Sequence, residues 1–179
     1  MSTCYNINMN NWIPIPGSSK EKILSTALAE FSHYGFAATN ITQLAKKAQV
    51  TTGAIYHHFG SKTKLYEVIK KEMEQRIIDR MEGATDLFEE PNEKLKAALK
   101  TGLDFVIKKE IARLFIEEQD EGSSEVYQFL KGISSYKNLN GLDTLLYSSW
   151  VSTIKAISDE SITILDGKKI IDWILRKDQ

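Results

Sequence analysis

An all-α fold is what this 179-residue sequence predicts, on three observations. Apolar residues recur every three or four positions through most of the chain, the spacing that gathers them on one face of a helix. No stretch of useful length alternates apolar and polar residues as a half-buried strand would. Serine, threonine and asparagine stand repeatedly just ahead of the periodic runs, where their oxygens can accept the free amides of a helix start.

The elements follow in chain order. Residues 1–17 are rich in Asn and hold Pro14, Pro16 and Gly17, so a flexible arm is expected. Ser18 and Glu21 have the spacing of a capping box. Ile23, Leu24, Ala27, Leu28 and Phe31 then line one face, and Gly35 can adopt the left-handed conformation that ends a helix. Asn40 and Gln43 repeat the capping pattern, and Leu44, Ala45 and Ala48 give the inner face of a short helix over about 41–48. Thr51 or Thr52 caps a third helix that runs to about Phe59 and stops at Gly60; Ser61 caps a fourth from Lys62. In that fourth helix Leu65, Ile69, Met73, Ile77 and Met81 recur every four residues as one stripe, with Gly83 expected near its end. Further helices are expected at about 92–109, 110–121, 124–137, 142–158 and 167–177, punctuated by Gly122, Gly141 and Gly167.

Composition narrows the class. Hydrophobic residues make up 42% and charged residues 26%, the balance of a globular chain. No apolar run approaches the length of a membrane span, and no basic-then-apolar leader opens the sequence, so a cytoplasmic protein is expected. Cys4 is the only cysteine, which leaves no internal disulfide and no multi-thiolate metal site. Net charge is −1, but eight Lys face three Glu between Lys20 and Lys71, so the amino-terminal part is basic and the remainder acidic. That asymmetry suits a protein with one end directed at a polyanion.

Three short helices ahead of a long one, the second and third joined by a tight turn near Gln49 and Val50, form the layout of a helix-turn-helix. The second member of that pair lies in the major groove of DNA. Ala45, Ala48 and Ala54 are small enough for the two helices to cross closely. Ile55 and Phe59, beside Val50 and Leu44, anchor the inner face. Thr51, Thr52, Gly53, Tyr56 and His57 are left to face outward.

The stretch "ITQLAKKAQVTTGAIYHHFGSKTKLYEVI" resembles the DNA-binding signature of the TetR family of transcriptional regulators. The shared pattern is an alanine in the second helix, a Val-Thr turn, Gly at the start of the third helix, an aromatic and histidine run, then Ser-Lys and Leu. "ILSTALAEFSHYGFAATN" resembles the family's first helix and the loop after it. The match covers about Lys20 to Ile69; the rest agrees only in size and helical content. The resemblance implies a DNA-binding domain at 18–64 and a helical ligand-binding and dimerisation domain at 65–179. The DNA-facing set is then Asn40, Thr42, Lys46, Thr51, Thr52, Gly53, Ala54, Tyr56, His57 and Lys62. Gly53 permits close approach of backbone to DNA, Tyr56 reaches a phosphate, and Thr52 and His57 meet base edges. Lys62 opens the fourth helix, where free amides and the helix dipole favour a phosphate. Lys46, Lys47 and Lys64 add sequence-independent attraction. Two positions depart from the family pattern. Gln49 stands where Gly is common, so it accepts strain or builds a different turn. Thr42 stands where Arg is common, a weaker phosphate contact.

Other motifs carry less. His57 and His58 are adjacent, so they point about 100° apart on a helix and do not chelate one ion; His58 is expected to pack against the first helix and His33 to be exposed. The glycines of Gly53 and Gly60-Ser61-Lys62 lack the spacing and the preceding strand of a phosphate-binding loop. No nucleophile-and-base arrangement marks an enzyme, and no cofactor is expected. Glu117, Glu118, Asp120 and Glu121 read as a solvated helix end, and Lys70 to Arg80 as a solvated face.

The carboxy-terminal part is rich in aromatic residues, whose ordinary role is to fill a core. The resemblance implies an effector pocket, for which Phe105, Phe115, Tyr127, Tyr147 and Trp150 are the candidates. Leu142, Leu145, Leu146, Ser149, Thr153 and Ile157 on one late helix, and Ile170, Ile171, Ile174 and Leu175 on the other, are expected to pair with a second copy as a four-helix bundle. The expected protein is a homodimeric repressor, released from a palindromic double-stranded DNA operator by a small-molecule effector. Two alternatives stand beside it. One is a regulator whose carboxy-terminal domain binds a partner protein through surface aromatics. The other is a helical carrier or enzyme with a non-functional DNA end.

Overall fold

The computed structural model describes residues 15–117, 124–135 and 139–176. Among them are nine helices and no strand: α1 (Ser19–Ala38), α2 (Ile41–Lys47), α3 (Thr52–Phe59), α4 (Lys62–Thr85), α5 (Pro91–Lys108), α6 (Arg113–Ile116), α7 (Glu125–Ser134), α8 (Leu142–Ser158) and α9 (Ile164–Ile174). Most of the proposed amino-terminal arm, residues 1–14, lies outside the described residues, as do Gly122 and the acidic residues Glu118, Asp120 and Glu121. No described helix is long and apolar enough to cross a membrane.

Local chemistry sets the first four helices. The Ser18 hydroxyl accepts the Glu21 amide at 3.2 Å. The reciprocal half of that box is displaced by one residue, because the Glu21 carboxylate takes the Gly17 amide instead. Gly35 does leave the helical path, with φ 79°, so α1 bends there before its last turn. Ser61 accepts the Lys64 amide at 3.1 Å and opens α4. The α4 stripe of Leu65, Ile69, Met73, Ile77 and Met81 is buried throughout. Its amino-terminal end packs on α1 and α3, and its longer remainder lies along α5 and against α7. One helix thus belongs to both the helix-turn-helix and the body beyond it.

Several boundaries differ from expectation, each for a physical reason. α4 runs past Gly83 to Thr85, since a single exposed glycine weakens a helix by only about 1 kcal/mol. Of the helix expected over 110–121, the described part, 110–117, holds the single turn α6. α9 starts three residues before Gly167, where Thr163 and Asp166 form a complete capping box. Gly167 is not punctuation: it is buried inside α9, where a Cβ would come within 2.9 Å of Ile157 and 3.0 Å of Thr153. It lets α9 close on α8.

Three helices are followed by a left-handed residue that is not glycine. Gln49, Glu110 and Glu160 hold left-handed φ values of 56°, 57° and 58° after α2, α5 and α8. In each case a paired bond pattern closes the end, as where Val50 donates to Ala45 O at 3.0 Å and Gln49 to Lys46 O at 3.2 Å. That is the Schellman motif with its usual glycine replaced. An L-residue in this region costs about 1–2 kcal/mol. Gln49→Gly is therefore expected to raise stability by up to about 1 kcal/mol, the glycine's greater unfolded-state freedom offsetting part of the relief. A melting scan should show a rise of roughly 2–4 °C; no rise would mean the turn is unstrained.

Candidate nucleic-acid interface

The interface is assembled on α2 and α3. The Asn40 carboxamide oxygen accepts the Thr42 and Gln43 amides at 2.8 and 3.2 Å, so its position at the entrance of α2 is locked. The turn through Gln49 follows, and Thr51 Oγ1 accepts the Ala54 amide at 3.1 Å to start α3. Ile55 and Phe59 are the buried residues of α3 and join Leu44 and Ala45 in the core. Two inward residues four apart fix which side of this eight-residue helix looks out.

On that outer side Tyr56 is 49% exposed, an uncommon position for a large ring. Thr51, Gly53 and His57 are exposed and Thr52 and Ala54 half-buried. Thr42 and Lys46 are exposed on neighbouring α2. Nothing inside the chain calls for glycine at 53, since a Cβ there would touch only Thr51 Oγ1, at an ordinary 3.7 Å. His58 departs from expectation. It is exposed, not packed on α1, because Phe59 takes the inward position beside it; its ring lies 5.5 Å from that of His57.

The lysines are not equivalent. Lys62 is half-buried; its ammonium is 3.3 Å from Ala37 O and 4.7 Å from the Phe36 ring centroid. It therefore ties the start of α4 to the last turn of α1. Lys47 is paired with buried Glu30 at 2.6 Å, and that hydrogen bond holds its pKa above the usual lysine value. Lys46 remains on the outer side.

A family model described as "Bacterial regulatory proteins, tetR family" matches residues 23–69, the span of this unit. Over those residues the chain is similar to the TetR family. The probable acrEF/envCD operon repressor of Escherichia coli K12 is 31% identical over 91 residues, which is 50% of this chain and 41% of that protein. The chain thus spans about two fifths of the length of that relative. Over the whole fold, FadR from Bacillus subtilis in complex with stearoyl-CoA superposes with a TM-score of 0.71 at 17% identity, covering 87% of this chain and 97% of that one. AibR in complex with isovaleryl coenzyme A and operator DNA does so at 0.65 and 18%, covering 87% and 97%.

In the carboxy-terminal part the five aromatic candidates pack against one another or their neighbours. Trp150 is buried, its indole N–H donating to Leu99 O at 3.0 Å. Its ring meets Phe115 at 5.9 Å and Tyr147 at 6.3 Å, and Tyr147 meets Tyr127 at 5.7 Å. The Tyr127 hydroxyl donates to Asp143 at 2.9 Å and holds that carboxyl below its ordinary pKa. Phe105 lies under the Arg80 guanidinium at 4.7 Å. The void beside Trp150, between Leu99, Leu146 and Ile171, measures about 10 Å³, room for no more than one water. A larger open groove of about 1310 Å³ lies elsewhere, between α1, α6 and the end of α8. Its walls carry both signs of charge, from Lys109, Arg113 and Lys155 to Glu110 and Glu160.

The residues expected at a dimer face divide. Leu145 and Ile170 are exposed and Leu142, Ser149 and Ile174 half-buried. Leu146, Thr153 and Ile171 are buried within the single chain, so they are not available to a partner. α8 has apolar residues on two faces, and periodicity alone did not say which turned inward. Trp173, 64% exposed, and Leu165 are also exposed apolar residues of α9. Sequence reasoning missed both, although Trp173 stands three residues after Ile170 on the same helix.

Proposed function

We propose that this chain is a homodimeric repressor, holding a palindromic operator through α3 and released when a small molecule binds its carboxy-terminal domain. The observation that carries the reading is the outer side of α3: an exposed tyrosine, open backbone at Gly53 and small polar groups, held from behind by two buried anchors. Such a surface fits a major groove, with phosphate contacts giving register and base edges giving specificity. The exposed apolar side chains of Leu145, Ile170 and Trp173 support pairing of α8 and α9 with a second copy. Acyl-coenzyme A thioesters bound to two fold neighbours support a small-molecule effector. The partner-protein alternative expects its aromatic cluster on the surface, whereas Trp150, Tyr147 and Phe115 are buried.

The test separates binding from folding. A duplex is selected by the wild-type chain from a randomised pool, and affinities are measured by fluorescence anisotropy. Gly53→Ala is expected to stabilise α3 by about 1 kcal/mol and yet weaken the selected duplex, because its methyl stands between backbone and DNA. Tyr56→Ala should weaken it by about tenfold, roughly 1.4 kcal/mol. Wild-type affinity in both variants would take this face off the DNA.

A further inference from the structure

We propose that Glu117 is a positioning residue that fixes the orientation of the helix-turn-helix on the carboxy-terminal body, by accepting the backbone amide that the bend at Gly35 sets free. The Phe36 N–H donates to Glu117 Oε2 at 3.0 Å, across 81 residues of sequence. With φ 79° and ψ 175°, Gly35 breaks the helical path of α1, and the next amide points out of the helix toward α6. A Cβ at Gly35 would collide with the Glu117 carboxylate, so the acid occupies the notch that the missing side chain leaves. Arg113, one turn back, is 3.6 Å from the other carboxylate oxygen and steadies it.

Both ends of this link are anchored. On one side Leu114 and Phe115 of α6 are buried, and Phe115 packs on Trp150. On the other, the Phe36 ring meets Tyr66 at 5.1 Å and the Lys62 ammonium at 4.7 Å, both on the first turns of α4. A hydrogen bond to an ionised acceptor is among the stronger and more directional single contacts. One such bond, set between two packed clusters, controls an angle more than it adds stability. The inference deepens the regulator reading and rests on it for the DNA consequence, since two recognition helices must meet successive grooves at fixed separation.

The test uses spin labels at His58→Cys and Ser152→Cys in a full-length Cys4→Ser background, with distance distributions measured by pulsed electron resonance. Glu117→Ala and Gly35→Ala should each broaden or shift the distribution, while Glu117→Gln, which keeps an acceptor oxygen, stays near wild type. Circular dichroism should show the helices intact in all three. The duplex selected by the wild-type chain should bind Glu117→Ala about tenfold more weakly. An unchanged distance distribution in Glu117→Ala overturns the proposal. If the wild-type chain selects no duplex, the regulator reading fails, and the distances alone still decide the role of Glu117.

Discussion

Ile55→Ala is expected to abolish binding of the selected duplex while leaving most of the helical signal in place. Ile55 is fully buried, and truncating such a side chain costs roughly 2–5 kcal/mol. α3 has eight residues, too few to persist as a helix without its packed face. Ile55 and Phe59 are its buried residues, so half of that face disappears. The α4 stripe and the aromatic core of the carboxy-terminal body are untouched. The loss should therefore appear as local opening: fast hydrogen exchange across 52–59, with slow exchange kept in α4 and α5. Anisotropy with the duplex reads the function. Retained affinity would show that α3 is held by something other than its two anchors. Collapse of the whole circular-dichroism signal would show that it does not open by itself.

Trp150→Ala should act at the other end and on stability. Replacing a buried Trp costs about 3–5 kcal/mol, a large part of the 5–15 kcal/mol typical of a domain. Here the ring touches Phe115 and Tyr147, and its N–H is paired with Leu99 O. Gly102 narrows the site further, since its hypothetical Cβ would be 3.1 Å from the Trp150 ring. The space left would merge with the small void lined by Leu99, Leu146 and Ile171. A fall in melting temperature of roughly 10 °C or more is expected, and indole should recover part of it by filling the cavity. A fall of only a degree or two would mean that the body repacks readily around the missing ring.

How far such features could be read without coordinates depends on their range. The caps at Ser18, Asn40, Thr51 and Ser61, the breaks at Gly35 and Gly60 and the α4 stripe are local: residues a few positions apart settle them. The same is true of the outward position of Tyr56, because Ile55 and Phe59 sit four apart on a helix whose ends are both marked. The capping box of Thr163 and Asp166 is equally local and marks the start of α9, whereas Gly167 lies inside that helix. The left-handed turns at Glu110 and Glu160 left no such mark, since Glu does not announce a positive φ; at Gln49 the mark came only from the resemblance.

By itself, then, the sequence determined the order of the first four helices, the site of their turn and the face that α3 presents, all consequences of hydrogen bonding and periodicity over a few residues. Tertiary structure alone decided that Leu146, Thr153 and Ile171 go inward while Leu145 and Trp173 stay out, that Gly167 admits α8, that Lys62 turns to Ala37, and that Glu117 meets Phe36. Periodicity reports that a face is apolar or that an acid is present. What that face or that acid meets is settled only when segments far apart in the chain are brought together.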